Sequence, residues 1–348
     1  MVDTPIRIAL CGLGSIGSAA ARILLDQRSG FELVGAITKQ DDAIGLHLHD
    51  VVGAATATDV TVGSELGDLL TQQPDLVVYC TGSFLGVVRD DLHRIVDAGS
   101  SLVSPCEELA FPFSRDPDFA AALDQRARSA GATVLGTGVN PGFIFDSLLL
   151  AATGSAQDIR AIRGRRVVDV SGFAENIHRR LGIGFTADEF ERGHADGSIA
   201  GHVGFPESIQ LVAERIGVTL DEPVTETFVP LLATELVDTP YGGVAAGRTE
   251  GFTQRATGMV SGEPFVELEL LLHLRPRHAG YETNDSFSID GSHPVNLELN
   301  PGMDAIPSTS AQLVNSIPGV LNAAPGLLTV KDIPTATFWT DLTRKLLR

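Results

Sequence analysis

The chain has 348 residues, room for about two domains; at 43% hydrophobic and 20% charged it can bury a large core and is not a disordered chain. Lysine and arginine number 25 against 44 aspartates and glutamates, a net charge of −19. That acidity argues against a phosphate-tracking nucleic-acid binder or an anionic-membrane binder, because both need basic patches.

In chain order, Ile6-Arg7-Ile8-Ala9-Leu10 reads as a buried strand, and Ile16, Ala19, Ala20, Ile23 and Leu24 then recur at helical spacing. The stretch Ile8 to Leu25 is too rich in glycine, and too interrupted by Arg22, for a signal peptide. Further strands are expected at Glu32 to Ile37, Val60 to Val62, Leu76 to Tyr79, Ser101 to Ser104 and Thr133 to Leu135. Helices between them are marked by Leu66/Leu69/Leu70, Leu92/Ile95/Val96 and Phe119/Ala122/Leu123. Strands alternating with helices imply a parallel sheet covered on both faces.

The pattern changes after residue 148. Val266, Leu268, Leu270, Leu272 and Leu274 share one face of a strand, with Glu267, Glu269, His273 and Arg275 on the other, the alternation usual in antiparallel sheets. Other strand candidates are Ala161 to Val170, Val224 to Leu232, Glu250 to Met259, Asp285 to Ile289 and Val295 to Leu299, with helices at Ala187 to Ala195 and Glu207 to Ile216. A last helix carries Leu313, Val314, Ile317, Val320 and Leu321, and Pro318 within it suggests a kink or break. The expected fold class is α/β: an N-terminal Rossmann dinucleotide-binding domain of residues 1–147 plus 303–348, and a second α+β domain of residues 148–302 with a mostly antiparallel or mixed sheet.

Gly12-Leu13-Gly14-Ser15-Ile16-Gly17 is G-x-G-x-x-G between a strand and a helix. The first glycine permits the tight turn, the second lets backbone approach the pyrophosphate, and the third lets helix pack on strand. NAD-specific sites usually place a carboxylate at the end of the second strand. Here Thr38 and Lys39 stand there, a hydroxyl and an ammonium that suit a 2′-phosphate, although Asp41 and Asp42 are near and Lys39 can equally be a solvated lysine. NADP(H) is favoured, with NAD(H) the other cofactor. Thr81, Gly82 and Ser83 follow the fourth strand, and either bond the nicotinamide ribose or simply turn the chain; Asn140 follows the sixth, to hold the carboxamide or to cap a helix.

After the fifth strand comes Ser104-Pro105-Cys106-Glu107-Glu108-Leu109. A carboxylate there can take protons from an amine and stabilise a cationic iminium as hydride arrives. Glu108 is the first choice for that role and Glu107 the second, the other glutamate favouring a helix start. Cys106 invites comparison with the thiol nucleophile of a semialdehyde dehydrogenase, but no partner signature accompanies it. Three cysteines, Cys11, Cys80 and Cys106, with no C-x-x-C spacing, argue against a disulfide scaffold or structural zinc and fit a reducing compartment. No metal is expected, since His47 and His49 at i, i+2 do not share a helix face.

Together with Gly138-Val139-Asn140-Pro141-Gly142-Phe143, Gly201-His202-Val203-Gly204-Phe205-Pro206-Glu207-Ser208 and Ala323-Ala324-Pro325-Gly326-Leu327-Leu328-Thr329, these motifs resemble the NAD(P)-dependent amine dehydrogenases related to 2,4-diaminopentanoate dehydrogenase, built on the plan of dihydrodipicolinate reductase. The resemblance implies reversible reductive amination of a ketone or aldehyde with ammonia, a catalytic glutamate, and a homodimer through the second domain's sheet. Related sugar dehydrogenases place a Glu-Lys-Pro sequence after the fifth strand; here Glu108 is followed by Leu109, so a lysine acid/base is absent. Phe143, Phe145, Phe173, Ile177 and His202 are candidate substrate contacts, with core packing as the alternative for each. A dihydrodipicolinate-reductase-like imine reductase remains a second reading, through Arg163-Gly164-Arg165-Arg166 and Arg179-Arg180. A non-catalytic dinucleotide sensor is the third. The expected partners are small molecules, with neither nucleic acid nor membrane, and the expected location is cytoplasmic.

Overall fold

The structure is a computed structural model that describes residues 5–342. Residues 1–4 and 343–348, the ends of the expected first domain, lie outside the described residues. Residues up to Ser147 and from Ala305 onward form one compact unit, and Leu148–Asp304 form another.

The first unit alternates strand and helix: β1 (Ile6–Cys11), α1 (Ser15–Gln27), β2 (Phe31–Ile37), α2 (Leu48–Val52), β3 (Val62–Gly63), α3 (Leu66–Thr71), β4 (Leu76–Tyr79), α4 (Leu85–Asp97), β5 (Ser101–Ser104), α5 (Pro117–Ala130) and β6 (Thr133–Gly136). The second unit holds α6 (Leu148–Thr153), β7 (Ala161–Asp169), α7 (Glu175–Arg180), α8 (Ala187–Ala195), α9 (Phe205–Ile216), β8 (Thr225–Leu232), β9 (Val237–Thr239), β10 (Gly242–Val244), β11 (Thr249–Val260), β12 (Glu263–His273), β13 (Asn284–Asp290) and β14 (Val295–Leu299). The chain then returns to the first unit with α10 (Ala305–Asn322) and β15 (Gly326–Leu328).

The first sheet is all parallel, in the order β15-β6-β5-β4-β1-β2-β3. β1 lies between β2 and β4, so the direction of winding reverses there and opens a crevice at the carboxyl ends of those strands. β4, β5 and β6 are buried along their whole length, which is why they lack a polar face. Local signals start and stop the helices: Asp116 accepts a hydrogen bond from Phe119 N and Pro117 opens α5, while Gly131, at φ 73°, ends it.

Two expectations about this unit are corrected. The strand expected at Val60 to Val62 is only Val62–Gly63, an edge piece paired with the last two residues of β2. Pro318 does not break α10, which runs to Asn322 and packs against α1. Leu313, Val314, Ile317 and Val320 are fully buried along it. Each contributes about 1.5–3 kcal/mol, which outweighs the roughly 3 kcal/mol an interior proline costs.

The second unit has a mixed six-stranded sheet in the order β14-β13-β7-β12-β11-β8, with β7 and β12 parallel and the other neighbours antiparallel. On one side of this sheet α9 packs on β11 and β12. The opposite face is charged. Arg163 pairs with Glu267 at 3.2 Å, Arg165 with Glu269 at 2.8 Å, and Arg255 with the same Glu269 at 2.6 Å.

Arg166 points to the covered face instead, where it is 3% exposed and pairs with Asp285, 1% exposed, at 2.7 Å. The pair also grips one residue from both sides: Arg166 Nη2 donates to Met303 O, and Met303 N donates to the second Asp285 oxygen. Removing one partner strands a buried charge. Asp285→Ala should therefore lower stability to urea by about 3–5 kcal/mol, whereas Arg166→Met with Asp285→Leu should cost far less. An Asp285→Ala loss below about 1 kcal/mol would show that the pair is not holding this face together.

Candidate active site

Gly12 follows β1 at φ 91°, and a Cβ there would meet the carbonyl group of Cys80. A Cβ on Gly17 would run into the Gly12 carbonyl oxygen, so α1 sits directly on the turn. Gly14 is different: at its Cβ position no protein atom lies within 4 Å. Its extended backbone precedes Ser15, and no side chain caps α1. The first turn of a 13-residue helix thus presents free N–H groups beside open space, which suits a dinucleotide pyrophosphate. Leu13 is buried and Ser15 and Ile16 are not, in keeping with a turn anchored on one side.

At the end of β2, Thr38 is buried and accepts a hydrogen bond from Gln40 N at 3.3 Å. Lys39 is exposed; burial pushes the thiol of Cys11, at the end of β1, up to about 12, Asp91 adds to the rise, and the charge of Lys39 offsets part of it. Asp41 and Asp42 are also exposed, in the turn that follows. Thr81 is exposed after β4, and its side chain bonds the Tyr79 hydroxyl, which donates to Asp91 Oδ2 at 2.9 Å. Gly82 and Ser83 are half-buried.

The two glutamates occupy the first turn of a short 3₁₀ helix, Glu107–Ala110, and their side chains part company. Glu108 is 8% exposed; one carboxylate oxygen accepts from Leu85 N, the first N–H of α4, at 2.7 Å, and the other lies 3.2 Å from Arg115. Its own N–H donates to Ser83 O at 3.3 Å. Glu108 therefore holds the start of α4 and neutralises a guanidinium. Glu107 is half-buried. Glu108, which motif spacing ranked ahead of Glu107 for the chemistry, thus has a structural part to play as well. Cys106 is fully buried and its thiol is pushed up to about 12, first by burial, so it is a poor nucleophile at neutral pH.

Asn140 lies in a loop pinned from three sides. Val139 N donates to Thr309 Oγ1 at 3.2 Å, Gly142 N to Asp146 Oδ2 at 2.7 Å, and Ser147 Oγ to Gly142 O at 2.9 Å. Phe143 begins the π-helical turn that follows and is half-buried, while Phe145 in that turn is fully buried, as a core side chain is. Thr309, Asp146, Arg115 and Asp91 were not singled out by motif reading. Thr309 is 170 residues from Val139, and no local signal announces such a pairing.

The first unit thus brings the glycine turn, Thr38–Lys39, Thr81–Ser83, Glu107–Glu108 and Asn140 to the carboxyl ends of its strands. Phe173, Ile177 and His202 belong to the second unit. Phe173 and Ile177 are half-buried, the latter on α7. His202 lies before α9 with its ring 4.8 Å from that of Phe205, and burial, then Arg166 and Arg180, push its imidazole down to about 3. It is neutral at physiological pH. The arginines that a carboxylated imine would need are engaged: Arg163, Arg165 and Arg166 as above, and Arg179 with Glu175 at 2.9 Å.

Two family models match the chain, one after the other in sequence. Residues 143–348 match the model of the 2,4-diaminopentanoate dehydrogenase C-terminal domain, and residues 12–135 that of the homoserine dehydrogenase NAD binding domain. The chain is 34% identical to 2,4-diaminopentanoate dehydrogenase of Acetoanaerobium sticklandii, over 94% of this chain and 93% of that one. It is 26% identical to an amine dehydrogenase of Streptomyces virginiae, over 94% and 96% of the two chains. It is also similar to the solved amine dehydrogenase of Mycobacterium smegmatis, with TM-score 0.85, 26% identity, and coverage of 96% and 97%.

The glycine turn makes a prediction that separates folding from binding. Gly14→Ala has room in the protein and should leave thermal stability unchanged, yet raise the dissociation constant for NAD(P)H at least about tenfold, equivalent to 1.4 kcal/mol. Gly17→Ala should lower the melting temperature instead. Normal cofactor affinity in Gly14→Ala would move the pyrophosphate away from this turn.

Proposed function

We infer from these matches that the chain works as its relatives are named: it belongs to the 2,4-diaminopentanoate dehydrogenase family and is an NAD(P)-dependent amine dehydrogenase, an oxidoreductase acting on CH–NH2 groups. The observation that carries the reading is a carboxylate pair without lysine at the carboxyl end of β5, within the unit that bears the dinucleotide turn. We propose reductive amination of a ketone or aldehyde with ammonia, and the reverse oxidative deamination. The nicotinamide of the cofactor supplies or takes up the hydride.

Gly12, Leu13, Gly14, Ser15, Ile16 and Gly17 would hold the pyrophosphate, Thr38 and Lys39 the adenosine end, and Thr81, Gly82, Ser83 and Asn140 the nicotinamide end. Glu107, ionised, would take a proton from ammonium so that ammonia adds to the carbonyl carbon, would return that proton to the carbinolamine hydroxyl so that it leaves as water, and, ionised again, would stabilise the iminium. Glu108 would act beside it by fixing Ser83 and the start of α4, with the catalytic role itself as the alternative assignment. Phe143, Phe173, Ile177 and His202 would contact the substrate, with Phe145 packed behind. The engaged arginines weigh against a dihydrodipicolinate-reductase-like imine reductase. The alternating charges on the open sheet face would suit a homodimer, since a two-fold axis can set each charge against its opposite. The cytoplasm, with its reducing thiol pool, fits three cysteines that are all free in the structure.

Turnover of NADPH with a panel of ketones and aldehydes should require ammonia; oxidation that is equally fast without it would exclude amination. Glu107→Gln should depress the ammonia-dependent rate at least about a hundredfold while cofactor affinity stays within about threefold. Glu108→Gln should instead lower stability by about 1–2 kcal/mol, through the weakened contacts to α4 and Arg115, with the smaller effect on rate. The reverse pattern would return catalysis to Glu108, and full activity in both would remove the carboxylate from the mechanism.

NADP(H) is the proposed cofactor. Lys39→Ala should weaken NADPH more than NADH by about five- to thirtyfold, the effect of one lost charged contact. Equal weakening of both would take Lys39 out of the site.

A further inference from the structure

We propose that Gln254 is a positioning residue for His202, holding it in the one placement from which it contacts the substrate. This rests on the reading above that His202 is such a contact. Gln254 lies in the middle of β11 and is fully buried, a costly place for an amide unless its hydrogen bonds are made. Two of them are made to one residue. Gln254 Oε1 accepts from His202 N at 2.8 Å, and Gln254 Nε2 donates to His202 O at 2.8 Å. The side-chain amide thus binds both peptide groups of His202, as a neighbouring strand would.

His202 needs such a partner because its segment belongs to no helix or strand. Gly201 has φ 61° and Gly204 has φ 116°, so both flanks use backbone that other residues rarely adopt. A Cβ on Gly201 would strike the Phe228 ring and lie 3.0 Å from Gln254 Oε1, so the glycine is what lets the loop come this close. The direction of the amide is also settled. Its second N–H donates to Glu226 Oε1 at 2.8 Å, and a carboxylate can only accept, so the oxygen must face His202 N–H. A flipped amide would set oxygen against oxygen at both Glu226 and His202 O. Glu226, on the edge strand β8, locks the clamp in its working sense.

Of the three hydrogen bonds of this amide two go to a loop residue, more than support of the sheet alone would require. The His202 ring, meanwhile, is packed edge-on to Phe205 at 4.8 Å, so backbone and ring are held separately. Gln254 would therefore set where a neutral imidazole stands, and through it which carbonyl or amine side chains are accepted.

The test uses the full-length enzyme at saturating NADPH and ammonia, with the ketone varied. Gln254→Leu should raise the ketone KM about tenfold, as expected for two lost hydrogen bonds, with kcat and NADPH affinity changed less than about threefold. Gln254→Met keeps the length of the side chain and loses the same hydrogen bonds, so it should raise KM as Gln254→Leu does; it also decides the matter if the leucine variant does not fold. His202→Asn should raise KM for the same ketones, and adding Gln254→Leu to it should raise KM little further, because the two act as one unit. If His202→Asn leaves KM unchanged, His202 is not a substrate contact and the proposal falls with that reading. If His202→Asn raises KM but the Gln254 variants do not, or the two effects multiply, the clamp alone is overturned.

Discussion

Helix α1 meets the end of β1 with no side chain between Gly17 and the Gly12 carbonyl, and the cofactor end of the first unit is built on that contact. It brings the helix axis onto the turn, so the unpaired N–H groups of the first helical turn face the same space as the carboxyl ends of the strands. Gly12 in turn lies against the Cys80 carbonyl at the end of β4, which ties the turn to the neighbouring strand. The loops after β4, β5 and β6 then take their positions from one parallel sheet whose central strands cannot shift without exposing a buried face.

The glutamate pair shows how adjacent carboxylates are separated by their surroundings. The N–H at the start of α4 needs an acceptor and Arg115 needs a counter-charge, and Glu108 meets both demands. A carboxylate held at both oxygens in this way is fixed in place and fixes the start of α4 with it. The second unit applies the same division to its arginines. On the open face of the sheet, pairs such as Arg163 with Glu267 are solvent-screened and contribute little each. On the covered face, Arg166 and Asp285 are buried together and secure Met303 between them.

Much of the fold was legible because periodicity reports burial. Uniformly apolar runs marked the central parallel strands, the two-residue alternation marked β12, and the glycine spacing marked the turn into α1. Where the pattern failed, a non-local term had taken over. Val60 lies outside β3 because that edge strand has only two residues of β2 to pair with. Pro318 sits inside α10 because buried neighbours outweigh its local cost. β15 was not expected as a strand, since three residues are too few to show a period; they complete the sheet by pairing with β6.

By itself the sequence determined the two-part α/β plan, the glycine turn of the NAD-binding domain and the stretch that carries the adjacent glutamates, because each is written in spacing over a few residues. Tertiary structure alone decided which glutamate anchors α4, that α9 packs on β11 and β12, and that Thr309 and Gln254 hold loops far from them in the chain. Spacing along the chain states what a residue can do. A hydrogen bond made across 52 or 170 residues states what it is already doing, and only the folded chain brings those partners together.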